Sequence, residues 1–280
     1  MVQKVKLIEC PRDAMQGIHK FIPTELKVKY LNLLLQVGFD TIDIGSFVSP
    51  KAIPQLADTK QVLERINPSA TKLLAIVANS RGIDEAVKHT NITYLGFPFS
   101  ISQTFQNRNT NASMEQALEQ VKYLGTQCEL YQKTPVVYIS MGFGNPYGDE
   151  WSVDIVCRWV EKLIELKMPI ISLADTIGIA QVKHIEYLYS TLIPAFPETE
   201  FGAHLHTPKN TWREKVDAAY NHGCTRFDGA FKGYGGCPMA SDALTGNMPM
   251  EFLLDYFKGS LTISPELLAD IMSVADDVFL

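Results

Sequence analysis

At 280 residues, 46% hydrophobic and 20% charged, the chain has the composition of a globular protein that can bury a large core. A formal net charge of −6 excludes broad nucleic-acid binding, although a local basic patch can still hold a phosphorylated ligand. No apolar run approaches the ~20 residues that span a bilayer, so a helical membrane protein is excluded as well. The five cysteines (10, 128, 157, 224 and 237) form no C-x-x-C pair, which suits free thiols in a reducing compartment. Met1-Val2-Gln3-Lys4 leads straight into a strand-like segment with no apolar signal core, and a cytoplasmic protein is expected.

Short β-rich runs are predicted at residues 5–10, 41–45, 72–78, 92–97, 135–141, 170–173, 200–206 and 225–230. Helical periodicity fills much of the space between them, at 24–37, 113–131, 152–166 and 210–221. Ser113-Met114-Glu115-Gln116 is a capping box that opens one helix, and Gly38, Gly82 and Gly223 punctuate element ends. Eight strands, each followed by a helix, fit a (β/α)8 TIM barrel. The competing open doubly wound sheet lacks its G-x-G-x-x-G after the first strand. With no linker, low-complexity tract or internal repeat, residues 1–280 read as one domain, in which about 249–280 are extra C-terminal helices packed on the barrel.

In such a barrel the strand ends and the loops after them form the active face, and the unusual polar residues of this chain fall there. Behind Pro11, Arg12 and Asp13 are adjacent charges. A solvated ion pair accounts for them, but Asp13 is also a hard oxygen ligand and Arg12 a stabiliser of developing anionic charge, with Gln16 as a hydrogen-bonding neighbour. Asp43 lies inside an apolar strand, where an unpaired carboxylate is costly, so it must pair with Arg12 or with a metal ligand. Structural and catalytic readings of Asp43 both stand. Ser46, Ser49 and Lys51 follow in a loop that suits a carboxylate or phosphate, or is simply solvated. The fourth βα loop, 100–111, carries Gln106-Asn107-Arg108-Asn109, and Tyr138 ends the fifth strand. Asp175 ends the sixth, where a helix cap or an ion pair competes with an active-site role.

His204 and His206 stand at the end of the seventh strand. Alternation puts both on one side, about 7 Å apart along the backbone. Two imidazoles so placed suit one divalent ion, two unrelated polar residues being the plain alternative. After the eighth strand comes Gly233-Tyr234-Gly235-Gly236-Cys237, a mobile or tightly turned loop with a thiol at its tip. A cysteine in that setting is out of place unless the thiol is used. Asn247 offers an amide oxygen as a further ligand, or marks a helix boundary, and Glu251 follows on a new helix.

Pro11-Arg12-Asp13-Ala14-Met15-Gln16, the run from Ser46 to Lys51, Ala174-Asp175-Thr176-Ile177-Gly178, His204-Leu205-His206, the Gly233 to Pro238 loop and Gly246-Asn247 come in an order that resembles the 3-hydroxy-3-methylglutaryl-CoA lyases. These are members of the metal-dependent TIM-barrel lyases and Claisen-type synthases, and the likeness runs over about residues 4–251. It implies a divalent ion, Mg²⁺ or Mn²⁺, on Asp13, His204, His206 and Asn247. It implies a catalytic arginine at Arg12, a catalytic cysteine at Cys237, active-site acids at Asp43, Asp175 and Glu251, and His204 or Asp43 as the base. Substrate contacts are expected from Gln16, Ser46, Tyr138, Arg108 and Asn109, with an acyl-CoA as partner and a homodimer as the assembly such barrels often form. The implied reaction is cleavage of the acyl-CoA to acetyl-CoA and acetoacetate.

The chain departs from the family pattern in four places. Ala14 replaces the glycine of Arg-Asp-Gly, Thr207-Pro208 replaces Asp-Thr after the second histidine, Asp43 shortens a glutamate, and the Cys237 to Asn247 stretch is one residue longer. A different 3-hydroxy-acyl-CoA, a Claisen synthase or aldolase, a metal-dependent hydrolase and a non-catalytic acyl-CoA-binding barrel are therefore the rival readings.

Overall fold

The computed structural model describes residues 4–208, 210–236 and 245–280. Eight parallel strands pair in sequence order and close on themselves. They are β1 (Lys6–Glu9), β2 (Thr41–Ser46), β3 (Lys72–Ile76), β4 (Ile92–Ser100), β5 (Thr134–Ser140), β6 (Ile170–Asp175), β7 (Glu200–Leu205) and β8 (Arg226–Gly229). The helices between them are α1 (Pro11–Gln16), α2 (Thr24–Leu34), α3 (Thr59–Arg65), α4 (Ser80–Ala86), α5 (Gln103–Thr110), α6 (Met114–Leu130), α7 (Val153–Glu165), α8 (Val182–Ala195) and α9 (Trp212–Tyr220). After β8 follow α10 (Met250–Tyr256) and α11 (Pro265–Phe279). This is the expected (β/α)8 barrel with extra C-terminal helices. No helix among the described residues is long and apolar enough to cross a membrane.

Alternation along the strands builds two cores. Outward residues such as Leu7, Ile42, Leu73, Phe97, Ile171 and Phe227 pack beneath the helices in one continuous cluster. Inside the barrel, Leu74, Ile76, Tyr94, Val136, Tyr138 and Ile170 fill the side made by β3 to β6. Across from them the inward positions of β7 and β8 carry Gly202, His204, Arg226 and Asp228, so that this side of the interior holds buried charged and polar groups. Helix ends follow local chemistry. Ser113 accepts from Gln116 N while the Gln116 side chain accepts from Ser113 N, the full capping box. Ser152 and Ser264 cap α7 and α11 by the serine half of this motif alone, accepting from Ile155 N and Leu267 N. The last helix buries Ile271, Val274, Ala275 and Val278, and Phe279 meets Tyr30 edge-on at 5.8 Å.

Three expectations change. The segment 100–111 is not a loop: β4 runs on to Ser100, and α5 follows with Ser102 as its N-cap, accepting from Phe105 N at 3.1 Å. Only Phe105 of its eight residues is a large apolar group, so no helical period shows. The helix is fixed instead by Asp149, which accepts from Ser102 Oγ at 2.5 Å and from Thr104 N at 2.9 Å. Arg12 and Asp13 lie in the short helix α1, with Pro11 at its first turn, and not in an open loop. Gly38 and Gly223 do end helical segments, at φ +82 and +95, but Gly82 sits inside the first turn of α4. A Cβ there would come within 2.6 Å of Phe47 O, so close approach of two backbones demands glycine.

Candidate active site at the C-terminal mouth of the barrel

Helix α1 begins right after β1 and turns Arg12, Asp13 and Gln16 over the C-terminal ends of the strands. Arg12 donates from Nε and Nη2 to Asp43 Oδ2 at 2.8 and 2.5 Å, and from Nη1 to Asp13 Oδ1 at 3.1 Å and Gln16 Oε1 at 3.0 Å. Gln16 Nε2 closes the ring by donating to Asp13 Oδ1 at 2.7 Å. The second oxygen of Asp13 accepts from Asn247 Nδ2 at 2.6 Å and lies 3.7 Å from His206 Nε2. Asn247 gives its other N–H to Tyr234 O at 2.9 Å, which leaves its amide oxygen as the atom able to ligate.

Two imidazoles complete the cluster. His204 Nε2 and His206 Nε2 approach to 3.1 Å, and His204 Nδ1 meets Asp228 Oδ2 at 3.1 Å. If His204 carries its proton on Nδ1, its Nε2 is a bare lone pair aimed at a second nitrogen. Such a contact is repulsive unless a proton or a cation lies between. Ligand atoms of Asp13, His204 and His206 all fall within 4.8 Å of one another, so the donor set fits a divalent ion. A second group, Cys10, His204 and Asp228, meets the same distance limit and shares one histidine with the first.

The charges oppose burial here. Burial pushes Asp13 up, yet Arg12, both imidazoles and the Asn247 amide hold its pKa at about 2. Asp43 is 1% exposed, and burial lifts it to about 6 because Arg12 offsets only part of the cost. Burial and the neighbouring His204 push His206 down to about 4, leaving a neutral imidazole ready to ligate. For His204, burial disfavours the charged ring, but the hydrogen bond and charge of Asp228 carry the pKa upward.

A cavity of about 370 Å³ opens above this cluster. Of the residues singled out in the sequence, Arg12, Asp13, Gln16, Ser46, Ser49, Tyr138, His204 and His206 line it, with Arg108 and Asn109 from α5. The exposed Arg108 lies over the Tyr147 ring at 4.6 Å. Asp43 and Asn247 sit behind the lining, against Arg12 and Asp13. Two acids are elsewhere. Asp175 accepts from Ile179 N, Ala180 N and Lys215 Nζ at 2.8, 3.0 and 2.7 Å, the cap and ion pair that rivalled an active-site role. Glu251 accepts from Lys232 N at 2.9 Å and does not line the cavity. Cys237 lies outside the described residues.

Sequence reading missed two residues that touch the site. Asp228 was visible in principle, because it is an acid inside a β run just as Asp43 is. Lys215 carries no such signal: a lysine on an amphipathic helix reads as solvated. It is 3% exposed and donates to Asp175 Oδ2, Gly178 O and His206 O, tying the loops after β6 and β7 together.

A closed parallel barrel with a carboxylate and two imidazoles converging at its C-terminal mouth defines a metal-site TIM-barrel enzyme. The chain matches the HMGL-like family model over residues 4–278 and belongs to that family. It is 33% identical over 242 residues to the hydroxymethylglutaryl-CoA lyase YngG of Bacillus subtilis, covering 86% of this chain and 80% of that one. It is 30% identical over 260 residues to the cytoplasmic 3-hydroxy-3-methylglutaryl-CoA lyase of Danio rerio, covering 91% and 76%. Among solved structures it superposes on an HMG-CoA lyase from Acinetobacter baumannii, solved with coenzyme A and 3-methylmalate, with a TM-score of 0.90 at 28% identity, covering 98% of this chain and 91% of that one. The HMG-CoA lyase of Bacillus subtilis gives the same TM-score at 30% identity, covering 99% and 94%. Family and fold make the protein a carbon–carbon lyase.

Proposed function

We propose that the protein cleaves 3-hydroxy-3-methylglutaryl-CoA to acetyl-CoA and acetoacetate, using Mg²⁺ or Mn²⁺ held by Asp13, His204, His206 and Asn247. The observation that carries this reading is the convergence of two imidazole nitrogens, 3.1 Å apart, beside Asp13 and opposite the Arg12 guanidinium. When bound, the cation supplies Lewis acidity that lowers the pKa of the substrate's tertiary hydroxyl.

Asp43 is assigned as the acceptor of the hydroxyl proton, through a water. Its Oδ1 has no protein hydrogen bond and its pKa of about 6 suits a base near neutral pH. His204 is less free for that task, because it gives one nitrogen to Asp228 and aims the other at His206. As the C–C bond breaks, its electron pair becomes the enolate of acetyl-CoA, and the hydroxyl carbon becomes the ketone of acetoacetate. Arg12 stabilises the enolate oxygen. Cys237, a role taken from the family resemblance, gives its proton to the enolate carbon and recovers one from the base. Gln16, Ser46 and Tyr138 orient the acyl group, and Arg108 and Asn109 face the coenzyme A arm. Asp175 and Glu251 act at a distance, by holding the loop after β6 and the turn at Lys232. The free thiols Cys10, Cys128, Cys157 and Cys224 suit the reducing cytosol.

The test is acetoacetate release from 3-hydroxy-3-methylglutaryl-CoA by metal-stripped protein, with and without added Mg²⁺ or Mn²⁺. Turnover only with metal supports the proposal. Metal binding without turnover would assign the site to another 3-hydroxy-acyl-CoA, and no metal binding would remove the basis of the reading.

A further inference from the structure

The interior of β7 and β8 holds charged groups that the reaction above does not use. Register pairs Gly202 of β7 with Arg226 of β8, which sets His204 opposite Asp228 one layer nearer the mouth. Arg226 is wholly buried, and Asp228 is 2% exposed. A guanidinium fits there because residue 202 has no side chain: a Cβ at Gly202 would stand 3.1 Å from Arg226 Cδ and 3.0 Å from Ser172 Oγ. Below, Arg226 Nη1 reaches Glu200 Oε1 at 3.3 Å. Above it on the same face of β8 comes Asp228, with His204 of β7 beside it. The result is a column of alternating charge along the barrel axis that ends at the imidazole pair.

A buried carboxylate at 3.1 Å from His204 Nδ1 has one favourable arrangement with a neutral imidazole, which is to accept the Nδ1–H. The proton is thereby held on the nitrogen facing away from Asp13 and His206. The competing group is the Cys10 thiol, within 4.8 Å of both. Its S–H is directed to Ile8 O at 3.7 Å, and a thiol is a weak hydrogen-bonding partner beside a carboxylate. Asp228 therefore decides which nitrogen of His204 presents a lone pair.

We propose that Asp228, backed by the buried Arg226, is a positioning residue that fixes the Nδ1–H tautomer of His204 and so presents the Nε2 lone pair to the cation. This rests on the cation-site reading of His204, but the tautomer itself can be observed without metal. Carboxylate partners of ligating histidines change metal affinity by about 10- to 100-fold when removed, because the ligand loses both its orientation and part of its basicity. Asp228→Asn removes the charge that holds the Nδ1–H and leaves only a weaker neutral acceptor facing it, so the ring proton is no longer fixed away from Nε2. Asp228→Glu keeps a carboxylate and restores part of the effect.

The experiment pairs two measurements. Mn²⁺ affinity is read by electron paramagnetic resonance on stripped wild type, Asp228→Asn and Asp228→Glu. The ring-nitrogen shifts of His204 are read by ¹⁵N NMR on the metal-free full chain at alkaline pH, assigned through His204→Gln. The expected result is Nδ1–H in the wild type, at least tenfold weaker Mn²⁺ binding in Asp228→Asn with little change in melting temperature, and partial recovery in Asp228→Glu. A wild-type ring protonated at Nε2, or Asp228→Asn binding Mn²⁺ as tightly as wild type, overturns the proposal. If Asp228→Asn does not fold, the wild-type tautomer decides alone. If wild type binds no Mn²⁺, the cation-site reading fails separately, and the tautomer assignment still stands or falls on the NMR.

Discussion

Arg12 places two of its nitrogens on a single oxygen of Asp43, at 2.8 and 2.5 Å, and leaves the other oxygen without a hydrogen bond. The pairing is lopsided, and its energetics follow from that. Arg12 also holds Asp13 and Gln16, so it keeps partners when Asp43 is neutralised. Asp43 has no second cation, and burial lifts its pKa from 3.8 to about 6 despite Arg12.

Asp43→Asn is expected to leave stability at pH 7 unchanged or raised. Removing one member of a buried ion pair usually costs about 3–5 kcal/mol, because the other is stranded. Here Arg12 is not stranded, and the wild-type carboxylate already carries an ionisation cost of about 3 kcal/mol at about 1.4 kcal/mol per pH unit. Turnover should fall by about 100-fold if Asp43 is the base. Urea unfolding and steady-state kinetics on the same preparation check both, and a loss of more than about 3 kcal/mol would contradict the electrostatic argument.

The pH dependence of stability in metal-free protein separates two opposing groups. Asp43 has a raised folded pKa, so its contribution is present below 3.8 and is lost as pH rises through about 6. His206 has a depressed one, so its contribution is present above 6.5 and is lost as pH falls through about 4. Each is worth about 3 kcal/mol and they oppose one another, so between pH 4 and 6 their contributions cancel, and the slope that remains comes from other buried acids such as Glu9 and Asp175, whose pKa values burial raises. Asp43→Asn removes one arm, and its unfolding free energy should then rise with pH relative to that of the wild type across that window. Below pH 4, Asp13 adds a further loss as it is protonated toward its pKa of about 2.

Lys215→Met should weaken the cation site without touching it. Its ammonium binds Asp175, Gly178 O and His206 O, and an isosteric thioether leaves the buried Asp175 carboxylate without its cation. A stability loss of about 3 kcal/mol is expected, together with weaker Mn²⁺ binding because the backbone at His206 is released. Calorimetry and Mn²⁺ titration measure the two effects, and unaltered Mn²⁺ affinity would confine Lys215 to a structural role.

Gly235→Ala should damage the ligand cluster from outside it. The residue has φ +115, and a Cβ would stand 2.3 Å from Asn247 Nδ2 and 3.1 Å from Asp13 O. Backbone strain and the clash together are expected to cost about 1–3 kcal/mol and to displace Asn247. At least tenfold weaker Mn²⁺ binding is predicted, read on the same titration. Binding equal to wild type would show that Asn247 is not a ligand.

Local patterns carried much of this protein. The eight β runs, the capping box at Ser113 and the common face of His204 and His206 depend on periods of 2 and 3.6 residues, which a linear sequence displays directly. Asp43 was legible as a residue that must be paired, because the cost of burying a lone carboxylate does not depend on the fold. The helix α5 was not legible, since its stability comes from Asp149 rather than from an apolar stripe.

What only the tertiary structure decided is which groups meet. Asn247 and Asp13 are 234 residues apart and bond at 2.6 Å because the barrel closes β8 onto β1. Asp228 faces His204 through the register of β7 and β8, and Lys215 meets Asp175 because β7 pairs with β6 and so brings the start of α9 beside the end of β6. Closure and register are cooperative properties of all eight strands, so no short segment encodes them. Neither Asp175 nor Glu251 lines the cavity, although a strand-end position had offered the one and the family resemblance the other.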